Sequence, residues 1–317
     1  MTIPETYTRI DVDGNEDENG DYVLFGSYPQ SEVKNHVLET MLNTKAGDLP
    51  TAENPQAWTS YDYYINGTVQ DYMWYQDVTL NGETYRGVYF ESYRPSWTIY
   101  YSSTGNSDQD ENGYFVGNVY WFQYEPLKWR ILSEEDGTAL ILCESIIDGQ
   151  QYYNNTSDRT IDEQIYPNNY EYSDIRAWLN EVFYETAFTE LQKALIETTL
   201  VDNSARSTNP QNEVWNNGVN VYACNDTEDK VFLLSEREVT NSEYGFNGDS
   251  NRIKVPTAYA KVQGTYINNG DGVWWIRSPY CNYSLYGRGV SYGGIAAHYG
   301  NVFHADYGVV PALQIRF

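Results

Sequence analysis

Short runs of aromatic and β-branched residues, broken by Gly, Asn and Pro, recur along this chain of 317 residues. Runs of this kind predict β-strands that are joined by turns and loops. The clearest runs are Tyr22–Tyr28, several between Trp58 and Phe122, the pair Leu127–Leu132 and Ala139–Cys143, Val231–Leu234 and Val273–Ile276. The pair predicts a hairpin that turns around Glu134–Gly137. Ser102–Gly113 predicts the most exposed loop.

Helical periodicity is confined to a few short segments. Ser31 and Ser173 are expected to cap two helices, and a third follows the second closely. Ser235 and Glu238 have the spacing of a capping box, which predicts a further short helix. The apolar positions of the three helices are Val33, Val37, Leu38 and Met41, then Ile175, Trp178, Leu179, Val182 and Phe183, then Leu191, Leu195 and Ile196.

These patterns predict one α+β domain with a mixed, mostly antiparallel sheet, a few helices and long insertions. No internal repeat and no Pro-rich linker divides the chain. Residues 1–21 are acidic and are expected to form a loosely ordered lead-in to a domain that spans residues 22–317.

The charge balance argues against several classes of partner. The 45 acidic and 19 basic residues give a net charge of −26, which disfavours nucleic acid and anionic membrane surfaces. No apolar stretch is long enough for a membrane span, so no membrane insertion is expected. The N-terminus has no signal-peptide pattern, and the localisation stays open. Three isolated cysteines and an incomplete calcium-loop pattern after Asp11 predict no disulfide framework, no metal and no cofactor.

The segment from Tyr280 to Tyr307 has an unusual composition, since it contains no Lys, Glu, Gln, Met or Trp. These five types make up roughly one residue in five elsewhere, so such an absence would arise by chance on the order of a few times in a thousand. They are also the types that no codon ending in a pyrimidine encodes. Randomising both adenines of an AAC codon would yield only residues of the kind present. This composition indicates adenine-directed mutagenesis; a Tyr- and Gly-rich loop that lacks these residues by chance is the alternative.

Several motifs together resemble one known family. They are LFGSYPQ (Leu24–Gln30), YEPLKWRIL (Tyr124–Leu132), YSDIRAWLN (Tyr172–Asn180), FYETAF (Phe183–Phe188), DKVFLLSEREV (Asp229–Val239), PTAYAK (Pro256–Lys261), WWIRSP (Trp274–Pro279) and GVVPAL (Gly308–Leu313). In type and order they resemble the DUF6273-type proteins of gut bacteria and their bacteriophages. Many such proteins look like the variable proteins of diversity-generating retroelements, in which a reverse transcriptase rewrites the end of the gene with errors at adenines.

The resemblance implies a C-type-lectin-like fold that is distantly similar to the formylglycine-generating enzyme. It also implies that residues 280–307 form a hypervariable ligand-binding region. Val290, Ile295 and Val302 are expected to face the core, and Val310 stands where the family usually has Arg. The ligand-binding residues implied are Tyr280, Cys281, Asn282, Tyr283, Ser284, Leu285, Tyr286, Arg288, Ser291, Tyr292, Ala296, Ala297, His298, Tyr299, Asn301, Phe303, His304, Ala305, Asp306 and Tyr307.

A binding role without catalysis fits these residues. Tyr, Ser, Gly and Asn are the residues that antibody paratopes favour, because Tyr offers a large contact area at low entropic cost. Most of these side chains are expected to be exposed, among them Ser291, Asp306 and Tyr307, while about a third of the rings are expected to pack. The partner is expected to be a macromolecule, either a protein or a surface glycan.

Two other functions stay open. A fixed carbohydrate-binding lectin-like module would also display Tyr and Trp, and its gene would have no template repeat nearby. A hydrolase with the formylglycine-generating-enzyme-like fold would need a reactive centre. However, Cys224 and Cys281 have unlike contexts, His298 and His304 lie within residues 280–307, and no two carboxylates stand out. We therefore expect no enzymatic activity.

Overall fold

The computed structural model describes residues 3–61, 64–65, 67–69, 73–91, 112–161, 163–210 and 220–317. The strands are β1 Tyr7–Ile10, β2 Tyr22–Glu32, β3 Thr59–Ser60, β4 Tyr64–Ile65, β5 Thr68–Val69, β6 Met73–Leu80, β7 Glu83–Phe90, β8 Val119–Glu135, β9 Thr138–Cys143, β10 Asp148–Gly149, β11 Arg159–Thr160, β12 Gln164–Ile165, β13 Thr199–Val201, β14 Thr227–Asp229, β15 Ile267–Asn268, β16 Asp271–Gly272, β17 Trp274–Pro279, β18 Tyr286–Val290, β19 His298–Asn301, β20 Gly308–Val309 and β21 Ala312–Arg316. The α-helices are α1 His36–Ala46, α2 Asp174–Trp178, α3 Tyr184–Ala187, α4 Glu190–Lys193 and α5 Ala258–Val262. A π-helical turn, Leu179–Phe183, makes α2 and α3 continuous, and 3₁₀ turns cover Glu238–Thr240, Ser242–Tyr244 and Asp249–Arg252.

An eight-stranded sheet is organised around the long strand β8. Strand β2 pairs with β8 along one edge, while β7 and then β9 pair along the other edge. Strands β1, β6 and β3 extend the sheet outward, and β21 pairs with β9. All of these pairings are antiparallel.

A second sheet of five short strands has the order β10-β20-β17-β18-β19. Its pairings are antiparallel except for the parallel contact of β17 with β20. The chain between β17 and β20 is the segment with the unusual composition, which we call the varied segment (residues 280–307). Beyond it the chain leaves this sheet, and β21 joins the larger one.

The two sheets share one hydrophobic core. Trp129 of β8, Trp275 of β17, Phe183 of the helical segment and Leu313 of β21 all belong to the same buried cluster. The buried indole N–H of Trp129 donates a hydrogen bond to the Phe25 carbonyl at 2.7 Å. The framework around the second sheet is therefore continuous with the main core.

Glu144, which directly follows β9, forms a partly buried ion-pair network with Arg130 of β8 and with Lys254. Its Oε1 lies 2.9 Å from the Lys254 Nζ and 2.9 Å from the Arg130 Nε. Burial alone would raise the pKa of Glu144, but the charges of Lys254 and Arg130 outweigh it and hold the pKa below its ordinary value. Lys254 is buried, and its pKa is lowered by that burial despite the neighbouring carboxylate.

The structure confirms the predicted mixed α+β class with mostly antiparallel sheets and few helices. The Ser173 side chain caps α2 by accepting from the Arg176 N–H. Strands β8 and β9 form the predicted hairpin, in which Glu134 pairs with Ala139. Ser235 and Glu238 form a reciprocal capping box, with distances of 2.7 and 3.2 Å.

Two local predictions, the helix cap at Ser31 and the strand over Val231–Leu234, are wrong because contacts with residues far along the chain decide the local structure. Ser31 does not cap a helix, since β2 continues through Pro29 to Glu32, which pairs with Phe122; a register shift after Pro29 accommodates the missing N–H. The cap of α1 is instead Asn35, whose side chain accepts from Val37 and Leu38 N–H groups. The predicted end at Gly47 is confirmed.

Val231–Leu234 is buried as expected but is not a strand. Only Phe232 pairs with a strand, through a single antiparallel bridge to Ala312 of β21. The Asn180 side chain binds the neighbouring backbone, since it accepts from the Lys230 and Val231 N–H groups and donates to the Val231 carbonyl. The predicted lead-in contains β1, which pairs with β2 over its 4 residues. Residues 102–111 of the predicted exposed loop lie outside the described residues.

Candidate ligand-binding surface

The register of β18 and β19 decides which side chains of the varied segment share a face. Tyr286 lies opposite Asn301, and Arg288 lies opposite Tyr299. The alternate pairs are Gly287 with Gly300 and Gly289 with His298. Because successive residues of a strand point to opposite faces, one face carries large side chains and the other carries mainly glycines.

The glycine face lies against the Tyr307 ring and against the framework residues Trp274 and Trp275. A Cβ on Gly300 would stand 2.5 Å from the Tyr307 hydroxyl oxygen, and one on Gly289 would stand 2.8 Å from the Trp274 carbonyl. Tyr307 in turn packs on Trp275, with 4.2 Å between the ring centroids. The spacing Gly-Arg-Gly at 287–289 was thus a signal of close packing that the sequence reasoning did not use.

The opposite face carries the tyrosine cluster, which we define as Tyr280, Tyr283, Tyr286 and Tyr299. The rings of Tyr280 and Tyr299 are stacked at a centroid distance of 4.4 Å and an angle of 18°. Tyr286 lies 5.4 Å from Tyr299 and 5.1 Å from Tyr283. Tyr283 and Tyr299 are 48% and 46% exposed, so this face offers aromatic contact area to a partner.

A buried framework side chain holds the backbone of residues 280–286. The amide nitrogen of Asn168, which is fully buried, lies 3.0 Å from the Tyr286 carbonyl, 3.3 Å from the Tyr283 carbonyl and 3.4 Å from the Tyr280 carbonyl. The Asn168 backbone N–H donates to the Ser284 carbonyl at 3.0 Å. All four contacts are to main-chain oxygens, so they do not depend on which side chains the loop carries.

The same mode of support recurs along the varied segment. Gln151 donates its side-chain amide to the Phe303 carbonyl at 2.7 Å, and Arg252 donates its Nε–H to the Gly294 carbonyl at 2.7 Å. Asn220 binds the Pro279 carbonyl at 3.0 Å, just before the segment. These three framework side chains are buried.

The two histidines of the segment form polar contacts with its buried end. The Tyr307 hydroxyl donates to the Tyr299 carbonyl at 3.0 Å, and the Nε2 of His298 lies 2.8 Å from the same hydroxyl. Since the hydroxyl has a single proton, His298 is the donor in that second contact. Burial lowers the pKa of His298 below its ordinary value, which favours the neutral ring at pH 7. His304 Nδ1 lies 3.5 Å from Asp306.

The structure brings the predicted ligand-binding residues together on the second sheet and its loops, at different depths. Exposed are Asn282, Tyr283, Tyr292, Ala297 and Tyr299. Half-buried are Tyr280, Cys281, Ser284, Leu285, Tyr286, Arg288, His298, Asn301, Phe303 and His304. Buried are Ser291, Ala296, Ala305, Asp306 and Tyr307.

Several exposures differ from expectation. Val290 and Val302 are buried as predicted, but Ile295 is 53% exposed, because it lies in the turn between β18 and β19. Ser291, expected to be exposed, is buried; its Oγ accepts from the Ile295 N–H and closes that turn. Tyr307 and Asp306 are also buried rather than exposed, since the Tyr307 ring fills the space beneath the glycines.

The remaining groups with possible metal-ligand or thiol chemistry are the acidic, histidine and cysteine side chains of the described part of the chain. Within it, no group of three or more His, Cys, Asp or Glu side chains is arranged to hold a metal ion. The three cysteines are free, and burial raises the pKa of Cys143 to about 12 and that of Cys224 to about 11, which keeps both thiols protonated at neutral pH. Among the described helices, none combines the length and apolar character needed to cross a membrane.

Fold and surface together define a mixed α+β protein that presents a tyrosine-lined face from a small, mostly antiparallel sheet. Residues 136–317 match the family model DUF6273, a domain of unknown function. The match covers more than half of the chain, which therefore belongs to the DUF6273 family. It begins at the turn between β8 and β9 and includes the whole second sheet. No curated protein and no solved structure matches the chain.

Proposed function

We propose that this is a non-enzymatic ligand-binding protein whose surface over residues 280–307 is diversified by adenine-directed mutagenesis. In this proposal it is the variable protein of a diversity-generating retroelement, and its framework is a C-type-lectin-like fold distantly similar to the formylglycine-generating enzyme. The family membership and the mixed α+β architecture are compatible with that fold.

The observation that carries the proposal is the way the varied segment is held. A surface that is rewritten needs a fold that survives most side-chain changes. Asn168, Gln151 and Arg252 supply this, because each bonds to carbonyl oxygens that every amino acid has. Exposed side chains such as Tyr283 and Asn282 can then change at little cost in stability.

The exposed residues suit a macromolecular partner, either a protein or a surface glycan. The tyrosine cluster supplies rigid amphipathic rings, which are common anchors at protein interfaces. The varied segment contains one Arg and one Asp, so it is nearly neutral on a chain whose net charge is −26. The remaining acidity disfavours polyanionic ligands such as nucleic acid.

The DNA around the gene tests the proposal. We expect a near-copy of the 3′ end in which AAC or AAT codons stand where this chain varies, next to a reverse-transcriptase gene. Codons for the varied positions should end in a pyrimidine. Codons that end freely in purines, or the lack of any template copy, would refute the retroelement function.

A fixed glycan-binding module is the second candidate, and the stacked pair Tyr280 and Tyr299 favours it, since sugars stack on exposed aromatic rings. The two candidates differ in a glycan-array experiment. A fixed lectin would bind one glycan class through every natural copy of the gene, whereas a diversified protein would change or lose its ligand from copy to copy.

A further inference from the structure

Arg288 lies within the varied segment, but its side chain contacts a buried framework carboxylate as well as two residues of the segment itself. Its Nε lies 3.2 Å from the Oε2 of Glu236, and its Nη1 donates to the Ala297 carbonyl at 2.6 Å. The guanidinium carbon also lies 4.9 Å from the centre of the Tyr280 ring, which is cation–π distance. The Arg288 side chain is only 11% exposed, in contrast to Tyr283 and Tyr299.

Glu236 belongs to the framework, and its side chain is 2% exposed. It lies in the turn that precedes the 3₁₀ helix Glu238–Thr240, where its backbone N–H donates to the Ser278 hydroxyl oxygen at 2.9 Å. Removing one partner of a buried ion pair is strongly destabilising, because the remaining charge stays buried and loses that attraction. Among the residues that the pyrimidine-ending codons allow, Arg is the only one with a permanent positive charge.

We infer that position 288 is a fixed positioning residue within the otherwise changeable surface: Arg288 is retained because it pairs with buried Glu236, and it orients the Tyr280 ring. This inference rests on the proposed function, since it concerns which part of a diversified surface cannot be diversified. Because Tyr280 stacks on Tyr299, the guanidinium beside the Tyr280 ring sets the arrangement of the tyrosine cluster. The surface thus has a preorganised aromatic centre and a mutable surround.

A display library tests the first half of the inference without any ligand. Position 288 is randomised with codons whose third base is C, and Tyr283 is randomised in the same way as an exposed control. Both libraries are displayed on yeast, selected for resistance to protease and sequenced. We expect Arg to be enriched about tenfold or more at position 288, and no residue to be enriched comparably at position 283.

The same library in a Glu236→Gln background identifies the cause. The enrichment of Arg should fall to near the input level, because the neutral amide no longer needs a cation. Absence of enrichment in the natural background would overturn the inference. Enrichment that persists in the Glu236→Gln background would also overturn it, since other contacts of Arg288 would then be responsible.

Tyrosine NMR tests the positioning role in proteins that fold. In the double variant Glu236→Gln, Arg288→Gln, the chemical shifts of the Tyr280 and Tyr299 ring resonances should move away from those of the stacked rings. The single variant Arg288→Lys should move them less. Unchanged Tyr280 resonances in the double variant would refute the positioning role. Either failure leaves the proposed diversification untouched, because that is decided by the gene neighbourhood.

Discussion

Asn168→Ala is the most direct test of how the varied segment is held. The substitution deletes the side-chain amide that contacts the Tyr280, Tyr283 and Tyr286 carbonyls. It keeps the backbone N–H that donates to the Ser284 carbonyl. The experiment therefore isolates the contribution of one side chain to a loop it does not belong to.

The magnitude follows from the donor count. An amide nitrogen has two protons, so it can make two good hydrogen bonds to the three carbonyls, at about 1 kcal/mol each. Leaving buried carbonyls without a donor adds on the order of 1 kcal/mol or more. We expect Asn168→Ala to lower the free energy of unfolding by about 3 kcal/mol. At about 2–4 °C per kcal/mol, the Tm should fall by roughly 6–12 °C.

Urea unfolding followed by tryptophan fluorescence and a calorimetric Tm measure this loss. Asn168→Asp is the volume-matched variant, and it should cost at least as much, because it turns acceptor oxygens toward the carbonyls. Asn282→Ala is the control, since Asn282 is an exposed Asn of the varied segment, and it should change stability by less than about 0.5 kcal/mol. If both Asn168 variants unfold like the parent protein, backbone support by the framework is not what holds the segment.

The remaining predictions concern depth and charge. Tyr283→Asn and Tyr299→Asn should each change the free energy of unfolding by about 0.5 kcal/mol or less. Tyr307→Asn should lower it by about 3 kcal/mol or more, because that ring is buried against Trp275. Equal effects of the three variants in urea unfolding would contradict the burial assigned to these residues. Gly300→Ala should lower the Tm by several degrees, since its Cβ would lie 2.5 Å from the Tyr307 hydroxyl; an unchanged Tm in calorimetry would show that the ring can move aside. The folded-state pKa of Glu144 lies below the ordinary 4.5, so its ion pairs stabilise the fold fully above pH 4.5. That stabilisation is lost as the pH falls through the folded-state pKa. In urea unfolding at several pH values, Glu144→Gln should be less stable than the parent at pH 7, and its free energy of unfolding should fall less steeply between pH 4.5 and the folded-state pKa.

Local signals in the sequence predicted local structure well. The cap at Ser173 and the capping box of Ser235 with Glu238 need only residues within a turn of each other, and both form. The β8–β9 hairpin is confirmed for the same reason. Ser31 does not cap a helix because its segment, β2, pairs with β8, a strand that lies far along the chain.

The candidate surface was predictable as a segment and not as an arrangement. Composition marks residues 280–307 directly, but Asn168 lies 112 positions before Tyr280, and nothing in its neighbourhood indicates that contact. Exposure within the segment was likewise decided by distant partners. Tyr307 is buried because Trp275 lies beneath it, and Ile295 is exposed because the turn carries it outward.

Strand β21 is synthesised after the varied segment, and this order affects how the nascent chain folds. It pairs with β9 over Ala312–Arg316, so the edge of β9 stays bare until the whole varied segment has left the ribosome and bridged from one sheet to the other. An unpaired strand edge is a site for aggregation and for proteolysis of the nascent chain. A varied segment that fails to bridge the two sheets would therefore leave the β9 edge unpaired, and such a chain would be prone to aggregation and proteolysis.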